Sequence, residues 1–447
     1  MFKNLLIAAT GLVSTSGCYS ESTQKKTDQP NIVFILADDL GYGDISCYGN
    51  TQIKTPNLDQ MAKEGVRFLD FHSNGAVCSP TRAALLTGKY QQRTGITGVI
   101  TAKDHREVGL SLSENTIAEA LKDEGYVTGI FGKWHLGYAE KYNPIHQGFD
   151  EFTGYVSGNV DYHSHVDQEG YPDWWKADKL ANETGYSTDL ISQNAIDFII
   201  RHQEKPFLLY ISHEAPHSPY QGLKSKAIRH THPPGAVNRV DFSTNESEKD
   251  IFPVYKEMIE IMDESIGKTL NILKQLKLDN KTIVIFCSDN GAPKAGSNGA
   301  LRGGKGSVWE GGHRVPAIIR WPGHIKPGWI SQEVILTMDI FPTLLELAGS
   351  VKHTEVDGVS IAKHLLYQKP LVSRTLFWQS ADSYAVREGK WKLVVNGFNA
   401  KPELYDMILD FEEKNNVADD HPNIINELQA EFKKWESKVN KGVKKIS

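Results

Sequence analysis

A chain of 447 residues is long enough for one large core with an appendage, or for two comparable domains. With 40% hydrophobic and 23% charged residues, 38 glycines and 19 prolines, its composition excludes disordered, fibrous and multi-span membrane classes. The formal net charge of -6, with no dense Lys/Arg block, argues against a nucleic-acid partner, and Lys441, Lys444 and Lys445 read as a solvated terminus.

In chain order, the first feature is an export signal. Lys3, an apolar run from Leu5 to Val13 and small residues up to Gly17 predict a secretory leader over 1–17, shorter than the about 20 apolar residues of a spanning helix. Cys18 follows Thr15-Ser16-Gly17, which leaves open both simple cleavage and a lipid anchor at Cys18, with Thr15 an imperfect fit to the lipid signal. Residues 18–29, rich in Ser, Thr, Lys and Gln, form a polar tether. The expectation is an exported protein, periplasmic or an outer-membrane lipoprotein of a bacterium.

From Asn31 short apolar runs alternate with amphipathic stretches. Strands are expected at Ile32–Leu36, Val66–Phe71, Tyr126–Phe131, Pro206–Ser212, Thr282–Cys287 and Ala317–Trp321, and helices at Leu58–Gly65, Leu112–Lys122, Leu190–His202 and Tyr255–Leu276. The fold class is therefore α/β, a large, mostly parallel or mixed sheet flanked by helices, over residues 30–350. After Gly349 short alternating runs at Thr375–Trp378, Tyr384–Arg387 and Trp391–Val395, followed by an amphipathic helix near Asn423–Val439, predict a smaller antiparallel-sheet unit over 351–447. Cys47, Cys78 and Cys287 match neither a zinc pattern nor a disulfide framework; Cys287 reads as a buried thiol, with a Cys47–Cys287 bridge left open.

Open α/β sheets place ligand sites at the carboxyl ends of their strands. The first strand ends in Asp38-Asp39 and the strand Thr282–Cys287 runs into Asp289-Asn290-Gly291. One acidic pair alone reads as a turn or helix cap. Three carboxylates and an amide from two strand ends make an all-oxygen metal site, suited to Ca2+ first and Mg2+ second, whereas zinc would want His or Cys. Between the pairs lies Cys78-Ser79-Pro80-Thr81-Arg82, in which Ser79 can cap a helix and Pro80 can occupy its first turn. Cys78 then sits at a helix N-terminus, where negative charge is stabilised by up to about 1 kcal/mol. Arg82, about one turn on, can reach the same point; the bland reading of such a cysteine is an ordinary reactive thiolate.

With Leu86-Thr87-Gly88 following it, Cys78-x-Pro80-x-Arg82 closely resembles the signal of the formylglycine-dependent sulfatases, in which the cysteine is oxidised to an aldehyde. The resemblance continues through Asp38–Asp44, Gly132–Gly137, Arg302–Gly306, Trp309–Gly312, Val386–Leu393 and Glu403–Asp406, and covers nearly all the mature chain. It implies an alkaline-phosphatase-like catalytic unit with a small C-terminal four-stranded sheet. It also implies 3-oxoalanine (formylglycine) at Cys78, made by a formylglycine-generating maturation enzyme, and metal ligation by Asp38, Asp39, Cys78, Asp289 and Asn290. Lys133, His135, His217 and Lys305 take roles by their place in family motifs; singly, each reads as an ordinary surface or core residue. His213 is the alternative to His217, which occupies the family's histidine position ahead of proline.

The implied reaction is hydrolysis of a sulfate ester through the aldehyde hydrate and a covalent sulfoenzyme intermediate. His217, supported by Lys305, would protonate the departing alcohol, and His135 would deprotonate the second hydroxyl so that sulfate is expelled. Arg82, Lys133 and Lys305 would hold the oxyanions. The segment Gly154–His165 is similar to a loop of the arylsulfatase B branch, which acts on 4-sulfated N-acetylgalactosamine, so the implied partner is a sulfated saccharide. Trp174-Trp175 offers a sugar platform or a buried structural pair. The rival readings are a phosphatase or phosphodiesterase of the same superfamily, which would use Thr or Ser and two zinc ions, and a non-catalytic carbohydrate-binding relative.

Overall fold

The computed structural model describes Met1, residues 29–231, 251–352, 355–444 and Ile446. The expected leader, Cys18 and the tether ahead of Gln29 lie outside the described residues. Strand β1 (Asn31–Ala37) is buried along its whole length, as expected of an apolar run covered on both faces. It is followed by β2 (Val66–Phe68), β3 (Phe71–His72), β4 (Val127–Lys133), β5 (Glu151–Tyr155), β6 (Trp175–Lys176), β7 (Lys179–Leu180), β8 (Phe207–Ser212), β9 (Thr282–Ser288), β10 (Ala317–Arg320), β11 (Trp329–Ser331) and β12 (Ile335–Leu336). Among the described residues, ten of these make one mixed sheet in the order β11-β2-β10-β9-β1-β8-β4-β5-β6-β7, and β12 pairs with β3 apart from it.

The run β9-β1-β8-β4-β5 is parallel, and alternation along β1 divides the core. Ile32, Phe34 and Leu36 face a cluster that includes Leu85, Leu86, Ile117 and Leu344. Val33, Ile35 and Ala37 face a second, with Leu58, Ile191, Phe198, Met258 and Met262. Helices thus cover both faces. The parallel run directs its carboxyl ends to one side, the side where the acidic and basic residues singled out above must emerge.

The C-terminal unit is an antiparallel meander of β13 (Leu376–Ser380), β14 (Ser383–Glu388), β15 (Trp391–Val395) and β16 (Glu403–Asp406). Helix Pro422–Val439 buries Leu428, Phe432, Trp435 and Val439, at helical spacing, against it. Phe432 stacks on Tyr384 at 3.8 Å and Trp435 on Phe377 at 4.8 Å. Arg387 and Lys392 are direct cross-strand neighbours in this sheet, and both are buried. Among the described residues no helix is long and apolar enough to cross a membrane.

Three local expectations are corrected, and one open question is answered. The run Val66–Phe71 is two strands in different sheets, because Asp70 turns aside to a bidentate ion pair with Arg387. The helix expected from Leu112 starts only at Ile117, where Thr116 and Glu119 form a reciprocal capping box. The helix that carries Cys78 begins at that residue with Val77 as its N-cap, so Ser79 does not cap it; its hydroxyl instead accepts the Ile100 N–H at 3.1 Å. Cys47 and Cys287 are both free thiols, so no bridge joins them.

Candidate active site

Register decides what meets at the top of the sheet. Ala37 lies opposite Ser288, Leu36 opposite Ser212, and Gly132 opposite Ser212 from the other side. Asp38-Asp39, Asp289-Asn290, the segment from His213 to His217, and Lys133 with His135 therefore leave adjacent strands at one level. Ligating atoms of Asp38, Asp39, Cys78 and His217 lie within 4.8 Å of one another. Asp39 (φ 66°) and His135 (φ 60°) hold left-handed backbone conformations that non-glycine residues seldom adopt, and such strain persists where surrounding structure over-determines it.

Cys78 opens the ten-residue helix Cys78–Thr87, all of which is buried. Its thiol donates to Asp38 Oδ1 at 3.5 Å. Burial pushes the thiol well above its ordinary pKa, outweighing the nearby Lys133 and Lys305 ammonium groups. That argues against an ordinary reactive thiolate at this position. Lys133 Nζ donates to Asp38 Oδ2 at 2.5 Å. Arg82 Nη2 lies 3.0 Å from Asp289 Oδ2 and 3.9 Å from Asp38 Oδ2, while its Nη1 donates to Ser212 Oγ at 2.6 Å. With a further bond from Nη1 to the Lys133 carbonyl at 3.2 Å, one guanidinium ties the Cys78 helix to four strand ends.

The two histidines are set in complementary tautomers. His135 Nε2 faces the Ile100 carbonyl at 2.9 Å, so the proton is on Nε2. Its Nδ1 is buried without a hydrogen-bond partner, leaving a free lone pair. Burial, with Lys133 and Arg82 nearby, holds His135 well below its ordinary pKa, so it stays neutral and basic at that atom. Gly158 packs against the same ring: a Cβ there would lie 2.9 Å from His135 Nε2. His217 Nδ1 donates to the Ser218 carbonyl at 2.6 Å, which turns Nε2 toward Lys305 Nζ (3.3 Å) and Asp39 Oδ2 (3.5 Å). Burial pushes His217 down to about 3 against the opposing pull of Asp39. Lys305 donates to Asp39 Oδ2 at 2.7 Å, and although burial disfavours its charge, Asp39 holds it firmly as an ammonium.

The oxygen donors fit a hard cation. Asp39 N–H donates to Asp289 Oδ1 at 3.2 Å, and Asn290 Nδ2 donates to Asp39 Oδ1 at 2.8 Å. The other amide oxygen, Asn290 Oδ1, is buried with no partner, an arrangement a cation would satisfy. Burial, together with the neighbouring Asp38, raises Asp289 to about 6 despite Arg82 and Lys133. Asp289 gives its other oxygen to Arg82 and is not among the residues grouped with Cys78, which are Asp38, Asp39 and His217.

His213 stays out of the cluster, buried beside Ser265 Oγ at 3.5 Å. Trp174 is no sugar platform: it is 2% exposed, stacks on His165 at 4.4 Å, and its Nε1 donates to Glu183. Trp175 is half-buried with Nε1 on Asp173. Sequence reasoning missed Ser212 and the Ile100 carbonyl. The first carries no motif signal, and the second is a backbone atom that no residue identity announces.

Comparison with known proteins bears on this geometry. The model of the family described as Sulfatase matches residues 30–350, and that described as N-sulphoglucosamine sulphohydrolase, C-terminal, matches residues 304–439. The N-acetylgalactosamine-6-sulfatase of Canis lupus familiaris is 34% identical over 420 residues, covering 87% of this chain and 76% of its own. The N-acetylgalactosamine-6-O-sulfatase of Bacteroides thetaiotaomicron is 31% identical over 528 residues, covering 95% and 97%. The crystal structure of Ps i-CgsB superposes with a TM-score of 0.81 at 29% identity over 91% of this chain and 93% of that one. A second Ps i-CgsB structure, in complex with k-i-k-neocarrahexaose, gives 0.80 at 28% identity.

Proposed function

The chain belongs to the sulfatase family and is a sulfuric ester hydrolase, and we propose that it removes sulfate from a sulfated saccharide with a nucleophile made from Cys78. The observation that carries this reading is the placement of Cys78, a buried thiol at a helix N-terminus, among Asp38, Arg82, Lys133 and Lys305. A thiol so held is useful only as a precursor. Formylglycine formed there would supply a geminal diol, one hydroxyl to attack sulfur and a second whose deprotonation expels sulfate. A calcium ion held by Asp38, Asp39, Asp289 and Asn290, with magnesium as the second choice, would supply charge that neutralises the ester oxygens.

The chain's own residues then divide the work. Arg82, Lys133 and Lys305 place positive charge around the anionic oxygens, where preorganised donors act most strongly in a buried site. His217 and Lys305, 3.3 Å apart, deliver a proton to the departing alcohol oxygen. His135, with Nδ1 free, accepts the proton of the second hydroxyl.

The saccharide reading is supported by relatives named for N-acetylgalactosamine 6-sulfate, and it takes the 6-sulfated sugar ahead of the 4-sulfated one. Residues 1–17 as leader, a lipid anchor at Cys18 and a periplasmic or outer-membrane location belong to the same proposal, as does a maturation enzyme acting on Cys78. Mass spectrometry of the peptide spanning Cys78 from the native host tests it: a loss of about 18 Da is expected, and an unchanged cysteine refutes the nucleophile. Paired assays on 4-sulfated and 6-sulfated N-acetylgalactosamine decide the substrate.

A further inference from the structure

A second buried ionic cluster joins the C-terminal sheet to the catalytic unit. Lys392, wholly buried in β15, has Nζ 2.7 Å from Glu310 Oε1, 2.8 Å from Glu413 Oε1 and 3.2 Å from His313 Nε2. Glu310 gives its other oxygen to Arg314 Nη1 at 3.0 Å. His313 Nδ1 lies 2.9 Å from His72 Nδ1, and His72 Nε2 lies 2.6 Å from Asp70 Oδ1. Arg387, opposite Lys392, grips both Asp70 oxygens at 2.9 and 2.8 Å. An ammonium only donates, so His313 Nε2 accepts, its Nδ1–H donates to His72 Nδ1, and His72 Nε2–H donates to Asp70. The Val308 carbonyl, 3.2 Å from His313 Nε2, favours the opposite tautomer, but the charge-assisted bond is the stronger. Ligating atoms of His72, Glu310 and His313 lie within 4.8 Å of one another, as in a metal site. Lys392 already supplies the cation there.

Both ends of this network reach the active site. Asp70 and His72 stand just ahead of Cys78, and the next residue, Ser73, donates its N–H to the His313 carbonyl at 2.7 Å and accepts Trp378 Nε1 on its own carbonyl at 3.0 Å. Glu310 and His313 form the short helix Glu310–His313, just after Lys305. On either side of Lys305, Arg302 and Trp309 both donate to Glu403 Oε2 of β16, at 3.1 and 3.2 Å, and the Arg302 guanidinium lies 4.3 Å from the centre of the Trp309 ring. Lys305 itself sits between Gly303 (φ 79°) and Gly306 (φ 87°), which gives its loop little intrinsic rigidity. Its flanks must hold it.

We infer that the C-terminal sheet is a positioning element of the active site, with Lys392 as its central contact. It locks the approach to Cys78 and the Lys305 loop against one another and so sets the distances from Lys305 to Asp39 and His217. Lys392 touches no reacting atom and acts through Lys305, so the inference rests on the catalytic reading of Lys305.

The test compares the full chain with its Lys392→Met variant by amide hydrogen exchange and by turnover of 4-nitrophenyl sulfate. Exchange at Lys305 and Gly306, whose N–H groups bond Ala292 and Ala76 carbonyls, is expected to quicken about tenfold while β1 and β9 stay protected. kcat is expected to fall about tenfold with KM changing far less. Unchanged exchange over 302–313, a uniform rise that includes β1 and β9, or a loosened loop with unchanged kcat would each overturn the inference. If the parent chain turns over no sulfate ester, the sulfatase reading fails, while the exchange arm still decides the clamp. Glu403→Gln, at a carboxylate 27% exposed, gives the same two readouts should Lys392→Met not fold; unchanged exchange and kcat there overturn it equally.

Discussion

Among the described residues, two buried clusters bring His, Cys, Asp or Glu ligand atoms within 4.8 Å of one another, yet they are finished differently. Around His72, Glu310 and His313 the positive charge comes from Lys392, and the hydrogen bonds close into a chain from ammonium to carboxylate. Around Asp38, Asp39, Cys78 and His217, Asn290 Oδ1 and His135 Nδ1 are left buried without partners. Buried polar groups are normally satisfied; the orphan of the joint, Arg387 Nε, is a donor, whereas Asn290 Oδ1 and His135 Nδ1 are acceptors, which a cation or a proton would satisfy. Both clusters set three carboxylates against three cations, so what separates them is the pair of unpaired acceptors and not net charge.

The sharpest way to break that contrast is at the nucleophile. Cys78→Ala should abolish turnover, by at least about a thousandfold, while a thermal melt stays close to the parent because the lost group is small. Retained activity would remove the assignment. Lys392→Met should cost stability as well as its tenfold in kcat, by about 3 kcal/mol, the lower end for breaking a buried ion pair, because Glu310 keeps Arg314. Glu413, which burial and the nearby Glu310 raise to about 7 despite Lys392, is free to take up a proton. Urea denaturation measures that loss, and adding Glu310→Gln should recover part of it; no loss at all would mean that the joint is ornamental.

Asn290→Ala sharpens the comparison at the orphaned oxygen. Calcium affinity, read by isothermal titration, should fall about 10–100-fold, whereas His313→Gln in the closed cluster should leave it unchanged. Equal effects would erase the distinction between the two clusters.

The difference also explains what could be read from the sequence. The active-site residues stand at strand ends, and their identities state their chemistry; once β1, β4, β8 and β9 are placed, register alone brings Asp38, Lys133, His217 and Asp289 to one level. The joint is assembled from pairs such as Arg387 with Asp70, separated by 317 positions, and no periodicity links such partners. Near misses have local causes. Leu112, 52% exposed, extended an apparent helical pattern past the true start that Thr116 and Glu119 announce. Val66–Phe71 read as one strand because Asp70, the residue that breaks it, finds its partner in the C-terminal sheet.

The smallest expected effect separates the site from ordinary burial. His213 lies in neither cluster, and burial alone pushes it down to about 4. The unfolded imidazole has a pKa of about 6.5, so below that value the unfolded chain binds a proton that the folded one refuses. Stability is therefore full above about pH 6.5, falls as pH drops through the interval to about 4, and levels below it. His213→Leu should flatten the dependence of unfolding free energy on pH in that window by up to about one proton, with kcat near the parent's. His217→Leu should flatten it in the same direction, since burial holds His217 down to about 3, but with turnover lost. Two histidines equal in acid titration and opposite in catalysis would show that burial depresses both, and that only the one facing Lys305 and Asp39 is put to work.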